Sequence, residues 1–336
     1  MRSLRRTVIT AAAAVSLMAA GVAMPAVAAA DDGGGDFTIK DPRITESSGL
    51  AASRAHPGIY WTHNDQDEPR VFAVDSKTGE TVATITLKGV GKPRDMEAIS
   101  VGPDGDVYVG DIGDNLNGSW DHVWIYRFAE PSELKDATVR ATQYTVRYAD
   151  GPRDAEALMV HPKTGRVYIA SKKDGGGGLY EGPERLVSSG TNVFRRIGEV
   201  PWVTDGAFSP DGKELVLRSY FSARGYAWTD GRLGADHAVS APLQGQSESV
   251  TYTSDGKALM FGTEGEQSDV VRRELPGKGG DGGGGAADSS GGSGTGGASG
   301  TGGGDVNGER LAVPAGLLVA VAVVVFAVRA RRRGGR

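Results

Sequence analysis

One short phrase occurs five times in this chain, and few sequence features restrict a fold more. The copies read Ser48-Gly49-Leu50-Ala51-Ala52, Glu97-Ala98-Ile99-Ser100-Val101, Glu156-Ala157-Leu158-Met159-Val160, Thr204-Asp205-Gly206-Ala207-Phe208 and Glu248-Ser249-Val250-Thr251-Tyr252. Four run on to a turn: Pro103-Asp104-Gly105, Lys163-Thr164-Gly165, Pro210-Asp211-Gly212 and Ser254-Asp255-Gly256. A short apolar strand follows each turn, as in Val107-Tyr108-Val109. The first copy reaches the same place through His56-Pro57-Gly58. A period of about 40–50 residues, built from strands, predicts an all-β propeller.

Alternation, β-branched content and Gly/Asp turns allow the strands to be placed. The first blade is expected at 48–53, 59–62, 70–75 and 81–88, and the second at 97–101, 106–111, 122–128 and 141–148. The third is expected at 156–160, 166–171, 178–181 and 194–200, and the fourth at 205–209, 214–219, 225–229 and 238–243. The fifth has 249–253, 258–263 and 270–275 and lacks one strand. Residues 36–41 belong to no other hairpin, so they are expected to pair antiparallel with 270–275 and close a five-bladed ring within 36–275.

Each copy of the phrase begins with an oxygen-bearing side chain. Residues i and i+2 of a strand share a face. Counting back from Leu50, Ile99, Leu158 and Val250 gives Ser48, Glu97, Glu156 and Glu248, and the turn alignment adds Thr204, with Asp205 as its neighbour. Two positions earlier stand Glu46, Asp95, Asp154 and Gln246. Carboxylates converging on one axis repel unless protons or a cation intervene. Hard oxygen donors in that number suit Ca²⁺. With no Cys and five His, none of them in the ring, zinc is a poor match. The alternative is that each acid bonds the backbone of the next blade and the axis holds only water.

The second strand of each blade ends at the same mouth. That gathers His63, Asn64, Asp65, Asp111, Asp114, Asn115, Lys172, Lys173, Arg218, Tyr220, Glu264 and Glu266 there, the expected place for a ligand. Individually they are ordinary polar turn residues; together they read as a binding surface. No Gly-x-Ser-x-Gly elbow is present, and no helical pattern follows the run Gly175 to Gly178.

On the ring residues Ser48, Glu97, Glu156, Thr204 and Glu248, the chain resembles five-bladed propellers of the calcium-dependent nucleotidase (apyrase) type. These carry one Ser or Glu per innermost strand around an axial Ca²⁺. Thr204 stands where that pattern has Ser, and the catalytic loops of the family have no match here. The phrases Trp61-Thr62-His63-Asn64-Asp65 and Gly110-Asp111-Ile112-Gly113-Asp114-Asn115 also resemble those of exported bacterial WD40-like or esterase-like propellers.

The flanks place this domain outside a membrane. Arg2, Arg5 and Arg6, the small and apolar residues 8–24 and Ala26-Val27-Ala28 predict a signal peptide over 1–30. Residues 276–310 are largely Gly, Ser, Ala and Thr, a flexible coil. Residues 311–328 carry no charge and are long enough to cross hydrocarbon. Five arginines in the tail 329–336 hold that end in the cytoplasm. All 42 acidic residues and all but eight of the 37 basic ones lie between 31 and 310, so that stretch is strongly acidic and repels nucleic acid. The absence of cysteine removes disulfides and thiolate chemistry.

The expectation is a single-pass cell-membrane protein with an extracellular propeller, calcium as its cofactor, that binds a protein partner or small-molecule ligand at the channel mouth. The competing expectation is a calcium-dependent hydrolase of phosphate or carboxylic esters. There Lys172, Lys173 or Arg218 would hold the anion, and Asp65, Asp111 or Asp114 would be the base. A purely structural role is the third.

Overall fold

The computed structural model describes residues 34–277 apart from Asp67, Asn117 and Asp174. The expected signal peptide, span and tail, and the spacer from 278 onward, lie outside the described residues. Among the described residues every regular element is a strand, and no helix is long and apolar enough to cross a membrane.

A two-residue strand, β1 (Phe37–Thr38), precedes the first full hairpins, β2 (Ser47–Ala52), β3 (Ile59–Asn64), β4 (Arg70–Asp75) and β5 (Thr81–Lys88). Next come β6 (Met96–Val101), β7 (Asp106–Asp111), β8 (Val123–Ala129), β9 (Ala137–Arg140) and β10 (Thr142–Tyr148). The third set is β11 (Ala155–Val160), β12 (Val167–Ser171), β13 (Gly177–Glu181) and β14 (Thr191–Val200). The fourth is β15 (Asp205–Phe208), β16 (Glu214–Arg218), β17 (Ala223–Thr229) and β18 (Arg232–Val239), and the chain ends in β19 (Ser247–Tyr252), β20 (Ala258–Thr263) and β21 (Asp269–Glu274).

Sheet order is propeller-like. Neighbouring strands run β2-β3-β4-β5, β15-β16-β17-β18 and β19-β20-β21-β1, each an antiparallel meander. The two remaining meanders fuse, because β10 pairs parallel with β14 (Thr145↔Thr191 to Tyr148↔Phe194). The innermost strands form a cycle: β2 lies against β6, β6 against β11, β11 against β15, β15 against β19, and β19 against β2. The buried side chains divide accordingly into five clusters, each between successive meanders. One holds Trp61, Val71 and Ile85 against Ile99, Val109 and Tyr126. Another sets Tyr168 and Leu179 against Phe208, Leu215 and Trp228. Apolar burial of about 1.5–3 kcal/mol per large side chain thus holds sheet to sheet around a ring.

The pairing expected of 36–41 is present over Phe37↔Val270 and Thr38↔Asp269. Phe37 and Ile39 pack with Leu50, Tyr60 and Phe72 on one side and Met260 and Val270 on the other.

Two assignments need correction. The outer strand expected at 238–243 lies at Arg232–Val239, joined to β17 by Asp230-Gly231. Both turn residues have positive φ (51° and 74°), the requirement of a two-residue hairpin turn. The strand hides from sequence reading because its burial is irregular and mostly exposed, with no apolar alternation. Residues 137–140 form an extra strand, β9, added parallel to the edge of β5 (Ile85↔Ala137). Covering an edge with a short, half-exposed strand leaves the same weak signature.

Candidate functional site

Four innermost strands carry a β-bulge at the start of the phrase. Pairing jumps from Met96 to Ala98, from Ala155 to Ala157 and from Ser247 to Ser249, so Glu97, Glu156 and Glu248 are the extra residues. In β2 the jump from Ser47 to Leu50 contains Ser48. A bulged residue leaves the ladder and its side chain is re-aimed. The i, i+2 rule behind the sequence register therefore does not apply there. Leu50, Ile99, Leu158 and Val250 pack between sheets, while the acids before them are buried at the inner-strand ends. Thr204 precedes β15, where the ladder is regular.

The ring members are all about 99% buried or more. Ser48 Oγ donates to Glu46 O (3.3 Å) and Thr204 Oγ1 to Ser247 O (3.0 Å). Glu156 Oε1 accepts from Lys172 Nζ at 2.6 Å. Burial alone would depress the lysine, yet Glu156, Tyr220, Glu248 and Glu97 hold its pKa well above the usual value.

One ring member, Glu97, also belongs to a carboxylate group beside the ring. Ligand oxygens of Asp65, Asp95 and Glu97 lie within 4.8 Å of one another, and Asp65 forms a second such group with Glu46 and Glu264. The two sequence phrases build this cluster. Asn64 Oδ1 accepts from Thr45 N (3.1 Å) and Glu46 N (3.2 Å), which fixes the loop bearing Glu46. Asp111 does the same in the next meander, accepting from Asp95 N (2.8 Å), Arg94 N (3.1 Å) and Tyr126 OH (2.5 Å). Gly113 then passes over the cluster. A Cβ there would stand 2.6 Å from Asp95 Oδ2 and 2.7 Å from Glu97 Cγ, so only glycine fits. Asn115 Nδ2 donates to Asp95 Oδ2 (2.9 Å), and Asp114 N donates to Asp154 Oδ1 (2.7 Å). Burial, then the Glu156 charge, pushes the Asp154 carboxyl up to about 7 against the relief from Lys172.

The remaining expected residues divide by role. Asp114 accepts from Ser119 Oγ (3.0 Å) and Trp120 N (2.7 Å), which folds its own loop. His63 is wholly buried, and desolvation lowers it to about 4 against a weak bond to Asn64 O. Arg218 is 1% exposed and donates to Ser249 O, Gly262 O and Gln244 Oε1, so it braces the last two meanders from inside. Asp205 likewise accepts from Gly206 N and Val250 N and is raised by burial. Lys173 and Glu266 are exposed, and Glu264 accepts from Gln246 Nε2 (2.9 Å).

Of the aromatic rim, sequence reading marks Tyr220 alone and passes over its neighbours. Trp202 meets Tyr220 edge-on at 5.2 Å, Phe221 follows and is 52% exposed, and Lys172 Nζ lies 5.5 Å from the Tyr220 ring. Arg94 is clamped between Trp120 (4.1 Å) and Trp124 (3.8 Å). The signal available for Phe221 was position alone: Ser219-Tyr220-Phe221 follow the mouth end of β16.

No protein-family model matches the chain, and no curated protein matches it by sequence. Solved structures similar to it include a gluconolactonase from Xanthomonas campestris (TM-score 0.44, 16% identity, 71% of this chain and 78% of that one). A PQQ-bound aldose sugar dehydrogenase from Streptomyces coelicolor is similar at TM-score 0.42 and 12% identity, over 70% of this chain and 96% of that one. Hydrazine synthase from Kuenenia stuttgartiensis is similar at TM-score 0.38 and 15% identity, over 65% and 61%. At these identities and scores none carries its chemistry over to this chain.

Proposed function

We propose that the chain is a five-bladed propeller, exported and membrane-anchored, that binds a divalent cation at its channel mouth and presents it to an extracellular ligand or partner. The carrying observation is the set of carboxylate oxygens from Asp65, Asp95 and Glu97 within 4.8 Å of one another, extended through Asp65 to Glu46 and Glu264. Five carboxylates with no sulfur or imidazole donor among them match calcium. The test is calcium titration of the full chain in mild detergent, by calorimetry and by melting. Calcium at about 100 times its Kd should stabilise the fold by about 2.7 kcal/mol, and EDTA should reverse the gain. Asp65→Asn with Asp95→Asn should abolish it. Identical melting with calcium and with EDTA, with no bound metal, overturns the reading.

One observation favours a second reading, hydrolysis of phosphate or carboxylic esters. Asp154, beside the cluster, has its carboxyl near 7 and so takes up and releases a proton at neutral pH. A bound cation would polarise the substrate's phosphoryl or carbonyl oxygen. Asp154 would accept the proton of the attacking water, and the exposed Lys173 would hold an anionic substrate group. Turnover of a phosphate or carboxylic ester, lost in Asp154→Asn, would establish this reading over simple binding.

A further inference from the structure

We infer that Lys172 is the resident cation of the glutamate ring, and that its ammonium, not calcium, occupies the axis. The family resemblance implies an axial Ca²⁺ held by Ser48, Glu97, Glu156, Thr204 and Glu248. These residues do not fit that ion here. Among the described residues, Glu97, Glu156 and Glu248 do not come together as a group with oxygens within 4.8 Å. Lys172 Nζ stands 2.6 Å from Glu156 Oε1, in a pair where the two side chains are 11% and 1% exposed. A divalent ion bound to the same carboxylate would face that ammonium at ligand distance, a repulsion that little water screens.

The charge balance points the same way. Lys172 feels the fields of Glu97 and Glu248 as well as Glu156. Arg218, its guanidinium buried and bonded to backbone carbonyls, faces Glu248 and Asp205. The chain thus supplies two cations of its own to three buried ring glutamates. A tethered ammonium needs no ligand shell of six to eight oxygens, only close carboxylates. Lys172 follows directly on the mouth end of β12, and Lys172 N is fixed by Asp154 O at 3.0 Å. The side chain therefore reaches the ring from a fixed root. Exchangeable metal is then left to the carboxylates grouped about Asp65. This limits the proposed metal reading to one site; only the count of metals rests on that reading.

The experiment counts calcium on the full chain in mild detergent by equilibrium dialysis and elemental analysis, with melting followed by circular dichroism. Lys172→Met keeps the stem and removes the charge. It is expected to bind about one more Ca²⁺ per chain than wild type, to melt lower in EDTA, and to regain stability with calcium. Lys172→Arg keeps the charge and is expected to leave the count unchanged. A Lys172→Met variant that folds as wild type and gains no calcium overturns the inference. So does a wild type whose calcium is lost in Glu156→Gln and kept in Asp65→Asn. If Lys172→Met folds in neither condition, the inference stands only if Glu156→Gln leaves the wild-type count unchanged, and falls otherwise. A wild type that binds no calcium removes the metal reading of Asp65, while the gain in Lys172→Met still decides the role of the lysine.

Discussion

The two ends of the innermost strands use the same residue type to opposite purposes. At the turn end, aspartates serve their own hairpins. Asp211 accepts from Ser209 Oγ (2.6 Å) and Lys213 N (3.1 Å), and Asp255 from Thr253 Oγ1 (2.7 Å) and Lys257 N (3.0 Å). Every partner lies two residues away, so the carboxylate does a turn's local work. At the mouth, partners come from far along the chain: Asp111 holds the 94–95 loop, Asp154 receives Asp114 N, and Asp205 receives Val250 N. The turn end forms an open pocket of about 250 Å³ lined by all five innermost strands, including Leu50, Ile99, Val160, Phe208 and Tyr252. The mouth instead crowds buried carboxylates around Lys172. Local carboxylates shape the chain; long-range ones join meanders and leave a net negative site.

Three variants break this contrast with decreasing force. Asp111→Ala removes the acceptor of Tyr126 OH and of two backbone N–H groups in a fully buried place. A loss of about 3 kcal/mol is expected, read as a fall in denaturant midpoint. A midpoint unchanged from wild type would show that the long-range bonds carry no stability. Asp154→Asn has a smaller, pH-dependent effect. Its carboxyl is raised in the fold from 3.8 to about 7, so its contribution is full below pH about 4 and is lost as pH rises through 7. Wild type should therefore lose melting temperature across that window, and the variant should lose less of it, by roughly a few degrees. Parallel curves would sink the assignment. Smallest is Asp211→Ala with Asp255→Ala, where only local turn bonds disappear. About 0.5–1 kcal/mol each is expected, with calcium binding unchanged; a lost calcium response would move the site to the turn end.

Repetition made the fold legible. The five-fold phrase placed the innermost strands, and the spare segment at 36–41 anticipated the pairing of Phe37 with Val270. What repetition cannot mark went unread: β9 and β18 are mostly exposed and lack alternation, so burial left no pattern in them. The candidate site was legible as a list of acids and not as an arrangement. Glu97, Glu156 and Glu248 were found, but the bulges that re-aim them depend on pairing with β7, β12 and β20. In sequence, Asp95 and Glu46 stand two positions before ring residues, and Asp65 falls at the mouth. Only tertiary structure brought these acids, with Glu97 and Glu264, into two groups that share Asp65.

Lys172 and Arg218 show the division most clearly. Sequence placed both at the mouth as cations open to an anionic ligand. Whether a charge at a strand end faces water, a ligand or another side chain depends on groups dozens of residues away, and the fold sends these two inward to Glu156 and to Ser249 O and Gly262 O. Strand periodicity and turn chemistry are properties of neighbouring residues, and the chain carries them by itself. The pairing of buried charges is a property of distance in space, and it exists only once the meanders close around their common axis.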